Sequence, residues 1–190
     1  MKLFINKDIM NASELEKWCF GIDSVSFSDV HDYLDYIAEN YPDDPNLDVE
    51  IHSCGGDTVE GYAIYDALRT CGKTISCTVV GTAASMATVI LLAAPKERRY
   101  AYEHAQLLIH SPYYPGAHGE LTIDKLDALK GALESERAKM VSLYVERTGT
   151  EQAAIEEQMN NGGWFDANRA IELGFVTSII PATSAKAVPR

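Results

Sequence analysis

The sequence predicts an α/β protein built on a largely parallel sheet. Three observations carry this: strand-like and helix-like segments alternate between Leu47 and His110, each strand-to-helix junction holds residues with chemistry or unusual backbone freedom, and one long helical pattern follows from about Ile123 to Arg147. At 190 residues, 46% hydrophobic and 23% charged, the chain suits a single domain with a sizeable core. That domain is expected over residues 1–180. The last ten residues, PATSAKAVPR from 181 to 190, have little to bury and are expected to form a flexible tail.

Taken in order, KLFI (residues 2–5) reads as a short strand, and Ser13 to Cys19 as a short helix or irregular chain. SDVHDYLDYIAENY follows with Ser28 in the N-cap position. Its Val30, Tyr33, Leu34, Ile37, Ala38 and Tyr41 recur at the spacing of one helical face, and Pro42 ends it. LDVEIHS (Leu47–Ser53) alternates as a strand does, CGGD turns, and TVEGYAIYDALRTCG is a helix opened by Asp57 and Glu60 in a capping-box arrangement and closed by Gly72. The pattern repeats with a strand over 74–80, a buried helix over 84–94, a charged PKERR turn and a strand ending in QLLIH. After the long helix, stopped by Thr148-Gly149, a short helix from Glu151 to Met159 is capped by Thr150. NNGG turns the chain, Asp166 caps a helix ending at Gly174, and FVTSII is the last strand.

Composition narrows the function. With 28 acidic against 16 basic residues the formal net charge is −12, and no cluster of Lys or Arg forms a cationic track, which argues against nucleic acid as a partner. Charges interrupt MKLFINKDIMNASELEKW too often for a secretory leader, and the apolar run from Met86 to Ala94 is too short to span a bilayer, so neither membrane nor export is expected and the cytoplasm is the natural setting. Cys19, Cys54, Cys71 and Cys77 lack C-x-x-C spacing and read as reduced thiols. The five histidines form no ligand set, so no metal or other cofactor is expected. Gly72-Lys73-Thr74 resembles the end of a P-loop, but Ala67 stands where the leading glycine belongs and the triplet follows a helix, so Lys73 reads as a helix-end cation.

The junctions are where chemistry gathers. Successive strand ends of a parallel sheet meet along one edge, and ligands bind there. Gly55-Gly56 frees backbone N–H groups to face an oxygen, Ser85-Met86 opens a helix, and His110 closes an apolar strand. Taken singly, a glycine pair is usually a tight turn, a serine among alanines a small spacer, and such a histidine a hydrogen-bonded structural residue. Together they supply a hydroxyl, a base to take its proton and donors for an oxyanion. The G-x-S-x-G elbow of α/β-hydrolases is absent, because Gly81 lies four residues before the serine and no glycine follows it.

IHSCGGDTVEGYAIYDAL, GTAASMATVILLAA, LLIHSPYYPG and WFDANRAIELGFV, in that order and at those separations, resemble the Clp protease proteolytic subunit (ClpP) family, and in particular its phage-type head maturation protease relatives. The resemblance covers about residues 45–180, while the first 40 residues match poorly. It implies a ClpP/crotonase-like spiral α/β fold with parallel strands and a long handle helix. It implies Ser85 as nucleophile, His110 as general base and the backbone amides of Gly56 and Met86 as oxyanion hole, with no metal. The stretch from Pro115 to Gly119 would lie beside a peptide substrate and pair with it as an added strand. The implied protein is a cytoplasmic serine endopeptidase cutting peptides or proteins inside a chamber of homo-oligomeric rings, such as stacked heptamers joined through the long helix. Its implied partners are an AAA+ unfoldase or, in phage capsid maturation, capsid proteins.

Two residues depart from the family pattern. Cys54 replaces the proline of an S-P-G-G turn and brings an oxidisable thiol near the oxyanion site. Gapless alignment through Thr148-Gly149 and Trp164-Phe165 puts Gly162 where the family carries Asp or, in phage relatives, usually Glu. Loss of the orienting acid leaves the imidazole free to take the wrong tautomer, at a cost of roughly four orders of magnitude in turnover. Asn160, Asn161 or Asp166 are candidates to hold the histidine, although Asp166 more simply caps its helix. Ser85 and His110 working slowly without help is the third option. The alternative function is a catalytically impaired ring or scaffold subunit, and a further one is a crotonase-like acyl-CoA enzyme.

Overall fold

The computed structural model describes residues 1–13, 16, 19, 21–114, 120 and 122–181. The expected strap at 115–119, most of the segment 13–19 and the tail from 182 lie outside the described residues. The N-terminal half holds β1 (Lys2–Ile5), β2 (Asp8–Ile9), β3 (Ser24–Val25), α1 (Phe27–Asn40), β4 (Asn46–Ser53), α2 (Thr58–Thr70) and β5 (Thr74–Ala84). Then come α3 (Met86–Leu91), β6 (Arg99–Tyr102), β7 (Gln106–Leu108), α4 (Ile123–Thr148), α5 (Gln152–Asn161), β8 (Phe165–Asp166), α6 (Ala167–Glu172) and β9 (Ser178–Ile180).

The α/β class with mostly parallel pairing is what the chain adopts. In the seven-stranded sheet β1, β4, β5, β6 and β9 lie in that order, all parallel, and β7 and β8 branch from the far end of β5. β5 is the axis. Cys77 to Val79 pair with β6, whereas Thr82 to Ala84 pair with β7, so one strand feeds two diverging sheet segments. A register shift in β4 between Ile51 and Ser53 accompanies the change. The strand therefore runs through Ala84, beyond the expected end at 80, and the helix starts only at Met86. Alanines and glycine at 81–84 suit a pleated backbone that neighbours approach closely, and tertiary pairing with β7 decides the issue against helix propensity.

Local chemistry moves several helix ends. Ser26, not Ser28, caps α1, because Ser26 and Asp29 form a complete capping box that places the first turn two residues earlier. Val30, Leu34 and Ile37 form its buried face. Asp57 caps α2 through the Val59 and Glu60 amides, but the Glu60 carboxylate does not close a box: it accepts from the Phe27 amide at 2.7 Å and ties α2 to the start of α1. Lys73 serves the end of α1, donating to the Tyr41 and Asp44 carbonyls at 2.8 Å each. Glu151 rather than Thr150 precedes α5, since the Thr150 hydroxyl is engaged with the Leu173 carbonyl. Asp166 caps α6 as its position predicts.

All six residues of α3 are buried, and Gly61 of α2 leaves room for Met86, whose Cε would lie 2.6 Å from a β-carbon there. α4 joins this core only at its C-terminal half, through Met140, Val141, Tyr144 and Thr148. Two arginines fasten that end. Buried Arg99 donates to the Ala94 and Arg147 carbonyls, and Arg147 donates to those of Leu92 and Ala94. Burial and then the Arg147 charge lower Arg99 to about 10, and the Leu92 and Ala94 carbonyls just beyond α3, with that of Arg147 in α4, hold the two guanidinium groups. This anchorage places Tyr144 over the start of α3.

Candidate active site

Ser85 stands between β5 and α3. Its amide donates to the Leu108 carbonyl at 2.8 Å, which continues the Ala84–Leu108 register and sets the residue against the end of β7. Its φ of 53° and ψ of −125° make it the one non-glycine with positive φ among the described residues. Such a backbone costs on the order of 1–3 kcal/mol and persists only where surroundings over-determine it. Thr88 supplies that constraint, because both its amide (2.9 Å) and its hydroxyl (2.6 Å) donate to the Ser85 carbonyl. With the Thr88 proton so committed, the Tyr144 hydroxyl, 2.8 Å away, must donate to Thr88.

The diglycine turn packs directly on this junction. A β-carbon on Gly55 would lie 2.5 Å from the Ala84 carbonyl oxygen, 2.8 Å from Ser85 Cβ and 2.9 Å from the Met86 nitrogen. On Gly56, at φ 148°, it would lie 2.1 Å from the Ile9 carbonyl oxygen. Ile9 brackets the turn by donating to Gly55 and accepting from Asp57, so the Gly56 N–H faces away from Ile9. Met86 is the first residue of α3 and its N–H has no intrahelical acceptor. Among the described residues neither the Gly56 nor the Met86 amide donates to a protein group. Both remain available to an incoming oxygen.

His110 lies two residues past the end of β7, on the same edge as Ser85. Its Nδ1 is 2.7 Å from the Ser111 carbonyl oxygen, and the Tyr113 ring tilts against the imidazole at 5.7 Å between centroids. A carbonyl only accepts, so this contact assigns the proton to Nδ1 and leaves the Nε2 lone pair open. The Ser85 hydroxyl makes no hydrogen bond among the described residues, so serine and histidine share an edge without a formed bond. Contacts of this kind commonly tighten only with substrate bound.

Gly162 ends α5 in the left-handed region, at φ 57°, and a β-carbon there would meet nothing within 4 Å. Among the described residues no carboxylate bonds the His110 ring. Asp166 is occupied at the N-terminus of α6, and the Asn160 amide oxygen accepts from Arg137 Nη2 at 3.3 Å. The partner of the imidazole is the Ser111 carbonyl, which a search through side chains does not consider. Thr88 was open to detection, as the lone hydroxyl in the apolar run MATVILLAA. Nothing in the sequence marks Arg137 among the charges of its helix.

The spiral of parallel strands, the buried α3 and the long α4 define a ClpP-type α/β fold. A ClpP1 point mutant from Listeria monocytogenes superposes with a TM-score of 0.77 over 96% of this chain and 92% of that one, at 22% identity, a likeness of fold alone. A family model for Clp protease matches residues 21–183, and the chain belongs to that family. The match begins at 21, so α1 is part of the shared pattern that the sequence motifs placed only from about residue 45. Among curated relatives, ATP-dependent Clp protease proteolytic subunit 1 of Protochlamydia amoebophila is 34% identical over 84% of this chain and 77% of its own length. Proteolytic subunit 2 of Treponema denticola is 34% identical over 75% of this chain and 68% of its own.

Proposed function

We propose that this protein is a serine endopeptidase acting inside a chamber assembled from rings of the same subunit. Ser85 Oγ attacks the peptide carbonyl carbon as His110 Nε2 takes its proton. The Gly56 and Met86 amides receive the oxyanion, and the protonated imidazole then delivers its proton to the leaving amine. The observation that carries the reading is the backbone of Ser85, held at positive φ by Thr88 and packed against the diglycine turn. Strain of that kind at the head of a buried helix has a use if it presents a hydroxyl.

The relatives' name, ATP-dependent proteolytic subunit, favours partnership with an AAA+ unfoldase over independent action. Capsid processing uses the same chemistry and differs only in substrate. The cytoplasm, where four unpaired cysteines stay reduced, suits this reading. One observation favours a second reading: with no carboxylate at Gly162, the subunit keeps the fold and serves as a ring scaffold of low turnover.

Labelling with a fluorophosphonate separates the two. The expected result is stoichiometric modification that disappears in Ser85→Ala and is greatly slowed in His110→Ala. A well-folded oligomer that takes no label overturns the peptidase reading and leaves the scaffold. Acyl-CoA binding by calorimetry would instead point to the crotonase-like alternative.

A further inference from the structure

We propose that Arg137 is a positioning residue through which a backbone carbonyl takes the place of the absent acid at His110. The proposal rests on the assignment of Ser85 and His110 as nucleophile and base. A general-base histidine needs its proton on Nδ1 and its lone pair on Nε2, and an acceptor facing Nδ1 imposes that tautomer whether it is a carboxylate or a carbonyl. The Ser111 carbonyl at 2.7 Å is such an acceptor. A carbonyl on an open chain segment orients nothing unless the segment itself is held.

Arg137 holds it. The guanidinium reaches from α4 with Nε donating to Ser111 Oγ at 3.3 Å, Nη2 donating to Asn160 Oδ1 at 3.3 Å and Nη1 lying 3.6 Å from Glu156 Oε1. One rigid fork thus joins the residue after His110 to the last turn of α5, the turn that ends at Gly162. The fork couples His110 to the helix that lacks the acid. During reaction the Nδ1 proton stays in place, the Ser85 proton moves to Nε2, and the carbonyl dipole faces the resulting imidazolium. A dipole stabilises that cation less than a carboxylate would, so the arrangement sets the tautomer and yields modest turnover.

The test combines two readouts on the full-length oligomer. In ¹⁵N-histidine spectra, with His110 assigned by its loss in His110→Gln, the neutral ring is expected to carry its proton on Nδ1, and Arg137→Met is expected to shift it toward the Nε2–H form. Arg137→Met is also expected to slow fluorophosphonate labelling of Ser85 about tenfold, the scale of losing one hydrogen bond from a charged donor. Adding Gly162→Asp to that variant is expected to restore the rate, because a carboxylate no longer needs the clamp. Predominant Nε2–H in the unaltered protein overturns the proposal, as does an Arg137→Met variant whose tautomer and labelling rate are unchanged. Failure of the peptidase reading looks different: Nδ1–H persists and responds to Arg137→Met while Ser85 takes no label at all.

Discussion

The hydroxyls of Thr88 and Tyr144 lie 2.8 Å apart, fully buried, and join the first turn of α3 to the long helix α4. Because Thr88 also donates to the Ser85 carbonyl, the two side chains form a short relay, Tyr144 to Thr88 to Ser85, ending on the strained residue. Desolvation raises the Tyr144 phenol well above its ordinary range, so it stays a donor throughout the working pH range.

Thr88→Val should be the costlier break in this relay. It strands a buried phenolic hydroxyl and leaves the Ser85 carbonyl with the Thr88 amide alone, at about 2–3 kcal/mol, whereas Tyr144→Phe leaves the Thr88 hydroxyl bond to Ser85 in place and costs about 1 kcal/mol. Urea unfolding of both variants and the double variant measures this. The double variant is expected to be less destabilised than the sum of the two, and strict additivity would argue against a shared relay.

Gly55→Ala is expected to abolish labelling of Ser85. The added methyl meets two backbone atoms of the Ala84–Met86 segment and Ser85 Cβ, all within 2.9 Å, so Ser85 and the Met86 amide must shift. Gly162→Ala, with open space around it, should cost only the strain of a left-handed alanine, about 1 kcal/mol. Labelling rate and thermal unfolding measured together distinguish a displaced site from a general loss of stability.

Much of this architecture was legible because period and composition change where elements change. Val30, Leu34 and Ile37 mark α1, the alternation of LDVEIHS marks β4, and Gly149 stops α4 in the left-handed conformation expected of it. Boundaries failed where distant groups decide. The run GTAA has no strand signal of its own and extends β5 only because β7 pairs with it, and Glu60 left its capping box for an amide 33 residues away. At the site, the serine, the histidine and the diglycine could be named, since their side chains or lack of them are the signal. The Ser111 carbonyl could not, because every residue has one, and only the folded path of the chain brings it to Nδ1.

Buried Cys77 on β5 makes alkaline stability a further test. Desolvation pushes its thiol up to about 12 from an ordinary value near 9.0. Between those values the unfolded chain loses a proton that the folded chain keeps, so stability falls as pH rises through this window and is unaffected below it. The slope is about 1.4 kcal/mol per pH unit. Cys77→Val should therefore lose less stability than the unaltered protein between pH 8 and 10.5, by roughly 2 kcal/mol in urea unfolding. The raised tyrosines Tyr62 and Tyr144 are common to both chains and cancel in the comparison. Equal losses would mean that Cys77 is hydrated in the folded state.

The first half of α4 contains no fully buried residue. Its buried residues begin at Met140, while Ile123 is 77% and Leu126 49% exposed, so the start of this 26-residue helix stands clear of the core. Apolar residues on an exposed helix suit contact with a second copy, and if the proposed chamber is closed by two rings stacked through this helix, that copy is the opposing subunit. Replacing both Ile123 and Leu126 by Glu should halve the mass of the largest assembly in sedimentation, through repulsion between like charges brought face to face. The subunit's own unfolding should be unaltered, since neither side chain touches the core. An undiminished assembly would place the contact between rings elsewhere, and a monomeric product would mean that this helix also joins neighbours within a ring.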